Sequence, residues 1–109
     1  MGLTKTQDFT VRQNQLASVA KALAHPARIA ILEHLLTRQM CVCGELVDEL
    51  PLAQATVSQH LKELKAVGLI KGEIEGTRVC YCIDERAWAE ANAQLRHLFD
   101  TYAPSVGGC

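Results

Sequence analysis

The stretch Gly44-Glu-Leu-Val-Asp-Glu-Leu-Pro-Leu-Ala-Gln-Ala-Thr-Val-Ser-Gln-His-Leu-Lys-Glu-Leu-Lys-Ala-Val-Gly68 decides the fold. Its first half reads as a short helix that stops at Pro51, where the ring removes a donor and clashes with the preceding turn. Its second half is amphipathic. Val57, Leu61 and Leu64 recur at the spacing of one helical face and predict a stripe turned towards a core. The outer face carries Gln54, Thr56, Ser58, Gln59, His60 and Lys62, side chains able to hydrogen-bond base edges or phosphates. Two helices meeting at a tight turn, the second polar on its outer face, predict a helix-turn-helix whose second helix enters a DNA major groove. Cys41 and Cys43 stand immediately before it.

Downstream, Gly68 suits the left-handed residue that ends a helix. From Leu69 to Ile83 the apolar period changes from 3.6 to 2: Ile70, Gly72 and Ile74 alternate with Lys71, Glu73 and Glu75, and Val79, Tyr81 and Ile83 with Arg78, Cys80 and Cys82. A β-hairpin turning at Gly76-Thr77 follows, which makes it a wing. Asp84 then caps a last helix, about 85–102, with Trp88, Ala91, Leu95, Leu98 and Phe99 on its apolar side. Upstream, Leu16, Val19, Ala20 and Leu23 predict a helix over about 11–23. His25-Pro26 interrupts it, and a second helix over about 26–37 follows, with Ile29, Leu32, Leu35 and Leu36 inward. A third is expected over about 42–49, and the recognition helix over 54–67. Ala53 stands where a Ser or Thr cap is usual, so that helix start has no side-chain cap of its own.

The predicted fold is mostly α with a small β-hairpin wing, a winged helix-turn-helix in the order α-α-α-α-β-β-α. It is one domain over residues 1–109, with 1–10 and 104–109 as flexible tails. Leu16, Val19, Trp88, Leu95 and Phe99 exceed what one small domain can bury. A homodimer through the terminal helices would cover them and set two recognition helices about 34 Å apart, one turn of DNA.

Composition sets limits on function. At 109 residues and 49% hydrophobic, the chain supports one modest core. It holds no apolar run long enough to span a bilayer and no secretory signal, so a cytoplasmic protein with reduced thiols is expected and no membrane partner. The net charge of −1 is not that of a strong polyanion binder. Between Gln54 and Arg78 the bases Lys62, Lys65, Lys71 and Arg78 only just outnumber Glu63, Glu73 and Glu75, so affinity for double-stranded DNA calls for two copies on a palindromic operator. No nucleophile–base pair or phosphate-binding glycine loop suggests an enzyme. The five cysteines, Cys41, Cys43, Cys80, Cys82 and Cys109, form two Cys-x-Cys pairs plus a terminal residue. That pattern fits metal or metalloid ligation, or thiol redox chemistry, better than a disulfide scaffold.

Together, Leu23-Ala-His-Pro-Ala-Arg-Ile-Ala-Ile-Leu32, Cys41-Val-Cys43, Ala55-Thr-Val-Ser-Gln-His-Leu-Lys-Glu-Leu64, Ala66-Val-Gly-Leu-Ile70 and Gly76-Thr-Arg-Val-Cys-Tyr81 resemble the ArsR/SmtB family. These are homodimeric winged-helix repressors that leave their operators when metal or metalloid ions bind. The resemblance implies that Thr56, Ser58, Gln59, His60 and Lys62 read DNA and that Arg78 touches the backbone or minor groove. It also implies that Cys41-Val-Cys43 is the family's arsenic- and antimony-sensing box at the start of its third helix. As(III) and Sb(III) favour three thiolates in a pyramid, and soft thiolates select such ions.

The box departs from the family in one place, because Leu46 stands where its third cysteine belongs. A third thiolate would come from Cys109, or from Cys80 or Cys82. The family's zinc pattern on the last helix is broken too: Asp84, Arg86, His97 and Asp100 keep the spacing, but an arginine cannot ligate. The expectation is therefore a repressor that needs no cofactor to bind DNA and is released by As(III) or Sb(III). Alternatives are the same repressor sensing oxidant, sulfane sulfur or Cd(II) through these cysteines, and an interaction module without regulatory function.

Overall fold

The structure, a computed structural model, describes residues 6–38, 41–43, 53–75 and 78–104, with side chains at 7–38, 41–42, 53, 55–73 and 80–104. A 3-10 turn, Thr6–Asp8, precedes helix α1, Val11–Leu23. Thr10 and Gln13 form a reciprocal capping box: the Gln13 amide donates to Thr10 Oγ1 and the Thr10 amide to Gln13 Oε1, each at 3.0 Å. Helix α2 is Pro26–Arg38. His25 caps it, its Nδ1 accepting from the Ala27 amide at 3.0 Å while Pro26 fills the first position.

Strand β1, Val42–Cys43, leads to residues outside the description, and the chain resumes with helix α3, Gln54–Ala66. Strands β2, Ile70–Glu75, and β3, Arg78–Ile83, form the hairpin, and helix α4, Glu85–Asp100, closes the described chain. The three strands are antiparallel in the order β1-β3-β2. Among the described residues no helix is long and apolar enough to cross a membrane.

One expectation is corrected at β1. Val42 and Cys43 do not begin a helix; their backbone is extended and pairs with β3, Val42 opposite Tyr81 and Cys43 opposite Cys80. The β-branched Val42 side chain is buried against the core, which rewards the extended form. The rest of the expected third helix, 44–49, and the turn at Pro51 lie outside the described residues, as do Gly76 and Thr77.

The core gathers Ile31, Leu32 and Leu35 from α2, Val57, Leu61 and Leu64 from α3, and Leu69, Ile70 and Tyr81 from the sheet. On α2 the buried stripe is centred on Ile31 rather than Ile29. Ile29 and Leu36 lie on its exposed flank, where they border an apolar cleft closed on its far side by Trp88 and Leu95 of α4.

The end of α3 follows its sequence closely. Gly68 takes φ +84°, its amide donates to Lys65 O at 2.9 Å, and the Leu69 amide donates to Leu64 O at 3.2 Å. This paired closure turns the chain straight into the wing. Ala53 supplies no side-chain cap, as expected. Asp84 does cap α4, accepting from the Ala87 amide at 3.1 Å.

Candidate functional site

Helix α3 presents Thr56, Gln59 and Lys62 to solvent, with Ser58 half-buried beside them. Gln59 is held along the helix by its amide donating to Glu63 Oε1 at 3.1 Å. Lys65 is not a free cation on this face, because its Nζ donates to Gly72 O at 2.6 Å and ties the helix to the wing. The side chains of Gln54 and Arg78, also expected at a nucleic-acid surface, lie outside the described residues.

His60 is a correction. It is only 9% exposed and points into the protein. The reason is spacing: residues 57, 60, 61 and 64 form one inner stripe, and His60 sits three after Val57 and four before Leu64. Arg28 Nε donates to His60 Nδ1 at 3.1 Å, and the same guanidinium donates from Nη1 to Ala22 O at 3.3 Å. The His25 ring lies 4.4 Å from that of His60, centroid to centroid. Arg28 and His25 were not among the sequence candidates. Together with His60 they pin α3 to the corner between α1 and α2.

An imidazole accepting at Nδ1 from arginine must be neutral there. Burial first, then the charges of His25 and Arg28, hold the His60 pKa below its ordinary 6.5, with Glu63 opposing. Because the folded-state pKa is lowered, the unfolded chain binds the proton more readily as pH falls through 6.5. Stability is lost from there downward until folded His60 also protonates. Thermal melts between about pH 7.5 and 5 are therefore expected to fall less steeply in His60→Gln than in the parent. Parallel slopes would exclude His60 as the titrating group.

The cysteines meet at the seam between β1 and β3. Tyr81 and Val42 are directly opposed and buried, so the alternate residues of both strands face the other way. Cys41 and Cys80 are exposed and Cys82 is half-buried. One residue beyond the Val42–Tyr81 pair, the register brings Cys41 opposite Cys82; both thiols are free and line one cleft. Cys80 is disulfide-bonded, a departure from the reduced thiols expected, and its partner lies outside the described side chains. Cys43 stands opposite it in register. Cys109 lies outside the description. Among the described residues no group of three potential metal ligands converges.

Residues 23–73 match the family described as a helix-turn-helix domain. The HTH-type transcriptional repressor SmtB of Mycobacterium tuberculosis is 54% identical over 61 residues, covering 56% of this chain and 44% of that protein. The HTH-type transcriptional regulator CmtR of Mycobacterium bovis is 36% identical over 99 residues, covering 88% of this chain and 83% of that protein. The crystal structure of an ArsR family transcriptional regulator superposes with a TM-score of 0.66 at 23% identity, covering 84% of this chain and 99% of that one. The chain belongs to the ArsR/SmtB family of transcriptional regulators. It spans less than half the length of the SmtB repressor it matches.

Within this ArsR/SmtB chain, three of the four positions of the family's zinc pattern have other partners. Asp84 caps α4, Arg86 Nε lies 3.5 Å from Glu90, and Asp100 lies 3.9 Å from Arg96 Nε. Asp100 thus pairs with Arg96.

Proposed function

We propose that this protein is a homodimeric transcriptional repressor that binds double-stranded DNA at a palindromic operator and leaves it when As(III) or Sb(III) binds its cysteine thiolates. The observation that carries the reading is the α3–wing unit. An exposed row of Thr56, Gln59 and Lys62 stands on a helix anchored behind by Arg28–His60 and beside by Lys65–Gly72, with the thiol seam on the neighbouring strand. Short polar side chains on a rigid helix suit base and phosphate contacts, Ser58 stands half-buried beside them, and the helical pattern adds Gln54 and the family resemblance Arg78 as expected contacts.

For the inducer, the donor set is soft and fits a thiophilic metalloid. Cys41 and Cys43 supply the pair, and the third thiolate comes from Cys109 or from Cys82, which the strand register sets opposite Cys41. Ligation across the seam would pull β1 towards the wing, and β1 leads into the segment that precedes α3. A ligand favouring that arrangement shifts the protein away from its DNA-competent form. The operator itself needs no cofactor.

The full chain is expected to retard DNA carrying its own upstream palindrome, with affinity dropping steeply between about 50 and 200 mM salt. Arsenite should release that complex in the presence of a zinc chelator, and Cys41→Ser or Cys43→Ser should abolish the release. A shift insensitive to salt would remove the DNA reading. Release by peroxide alone, reversed by a reductant, would remove the metalloid.

A further inference from the structure

We propose that Cys41 and Cys82 form a cross-strand dithiol that closes reversibly to a disulfide on reaction with a hydroperoxide, bolting β1 to the wing strand and closing the inducer site. The inference rests on the preceding reading only for that regulatory consequence. The chemistry rests on the seam itself.

Three observations carry it. First, the register is right for the bond. Directly opposed residues of antiparallel strands have Cα atoms about 4.5–5.5 Å apart, inside the range a disulfide spans. Cys80 and Cys82, two apart on one strand, are separated by about 7 Å and cannot bridge without distortion. Second, both thiols are free and line the same cleft. Third, the next same-face position on β3 is Cys80, which is disulfide-bonded, so this face of the strand already accommodates an oxidised sulfur.

The environments of the two sulfurs divide the work. Cys41 is exposed at the mouth of a cleft of about 600 Å³ lined by Leu35, Leu36, Ile83 and Lys71, and is the sulfur an oxidant reaches. Cys82 is half-buried at the same cleft. It is the less accessible sulfur and acts second.

In the first step the Cys41 thiolate attacks a peroxide oxygen: an S–O bond forms, the O–O bond breaks, and the alcohol leaves with a proton. Cys82 sulfur then attacks Cys41 sulfur, the S–S bond forms, and the hydroxyl departs as water with the Cys82 proton. Two thiols give up two electrons, and one hydroperoxide becomes alcohol and water.

The test uses the full chain carrying Cys43→Ser and Cys80→Ser, reduced and then treated with one equivalent of hydrogen peroxide in the absence of DNA and metalloid. Tryptic fragments 39–62 and 79–86, each then holding one cysteine, should appear as a single disulfide-linked species that dithiothreitol separates. Adding Cys82→Ser should replace the link with a Cys41 sulfenic acid trapped by dimedone. Linkage of Cys41 to the fragment containing Cys109, or peroxide consumed with both cysteines still free, would overturn the proposal. Neither outcome depends on DNA or arsenite binding, so failure of the repressor reading is separately visible.

Discussion

The full chain carrying Leu98→Glu and Phe99→Glu is expected to sediment as a monomer and to bind operator DNA about 100-fold more weakly than the parent, or worse. In the single chain these side chains are 52% and 72% exposed, on the last turns of α4, and Tyr102 beyond them is 76% exposed. Phe9 and Val11 at the start of α1 are exposed as well. Large apolar side chains left open together at both terminal helices mark a surface that associates. We propose a second copy as the partner, because its symmetry would also explain the DNA reading: one α3 face carries too little positive charge for tight binding alone. Two carboxylates per subunit placed in that surface would be desolvated without partners, so the pair of copies should separate while each core stays folded. Sedimentation velocity with a matched gel shift reads both effects. A parent protein that is monomeric at micromolar concentration would end the dimer reading, and a dimeric double variant would move the interface elsewhere.

The elements that sequence made legible are those with a period. Val57, Leu61 and Leu64 stand on one face of α3 because 3.6 residues per turn puts them there. The alternation around Tyr81 identified the wing strand and correctly sent Cys80 and Cys82 to the face opposite the core. Gly68 and Asp84 announced their ends of helices through backbone and capping chemistry alone.

What escaped was polar or nonlocal. His60 looked like part of the outer row because imidazole is polar, yet its interval from Val57 and Leu64 already placed it inside; spacing should have outranked side-chain type. Arg28, its partner, is 32 residues away and carries no local mark of that role. A two-residue strand such as β1 is too short to show alternation. The meeting of Cys41 with Cys82 is a matter of register between strands forty residues apart, which a single sequence does not encode in any spacing.

The wing itself holds the second large effect. Gly72→Ala is expected to destabilise the protein by about 3 kcal/mol or more, against about 1 kcal/mol for Gly68→Ala. Both glycines have positive φ, +84° at Gly68 and +131° at Gly72, so any L side chain is strained at either. The surroundings separate them. A Cβ on Gly68 would meet Ala87 Cβ at 3.9 Å, ordinary contact. A Cβ on Gly72 would lie 2.1 Å from Cys80 O and 2.7 Å from Tyr81 Cα, both backbone atoms of β3 that cannot swing aside. The pairing of Gly72 with Tyr81 must therefore open, and Tyr81 is among the most buried side chains of the core. The strain also reaches α3, because Gly72 O accepts the Lys65 ammonium. Against a typical total stability of about 5–15 kcal/mol, such a loss leaves little reserve in a domain of this size. Urea unfolding of the two variants beside the parent gives the comparison directly. Equal losses at the two positions would mean that backbone strain alone governs both and that β2 and β3 can part at Gly72 without disturbing Tyr81.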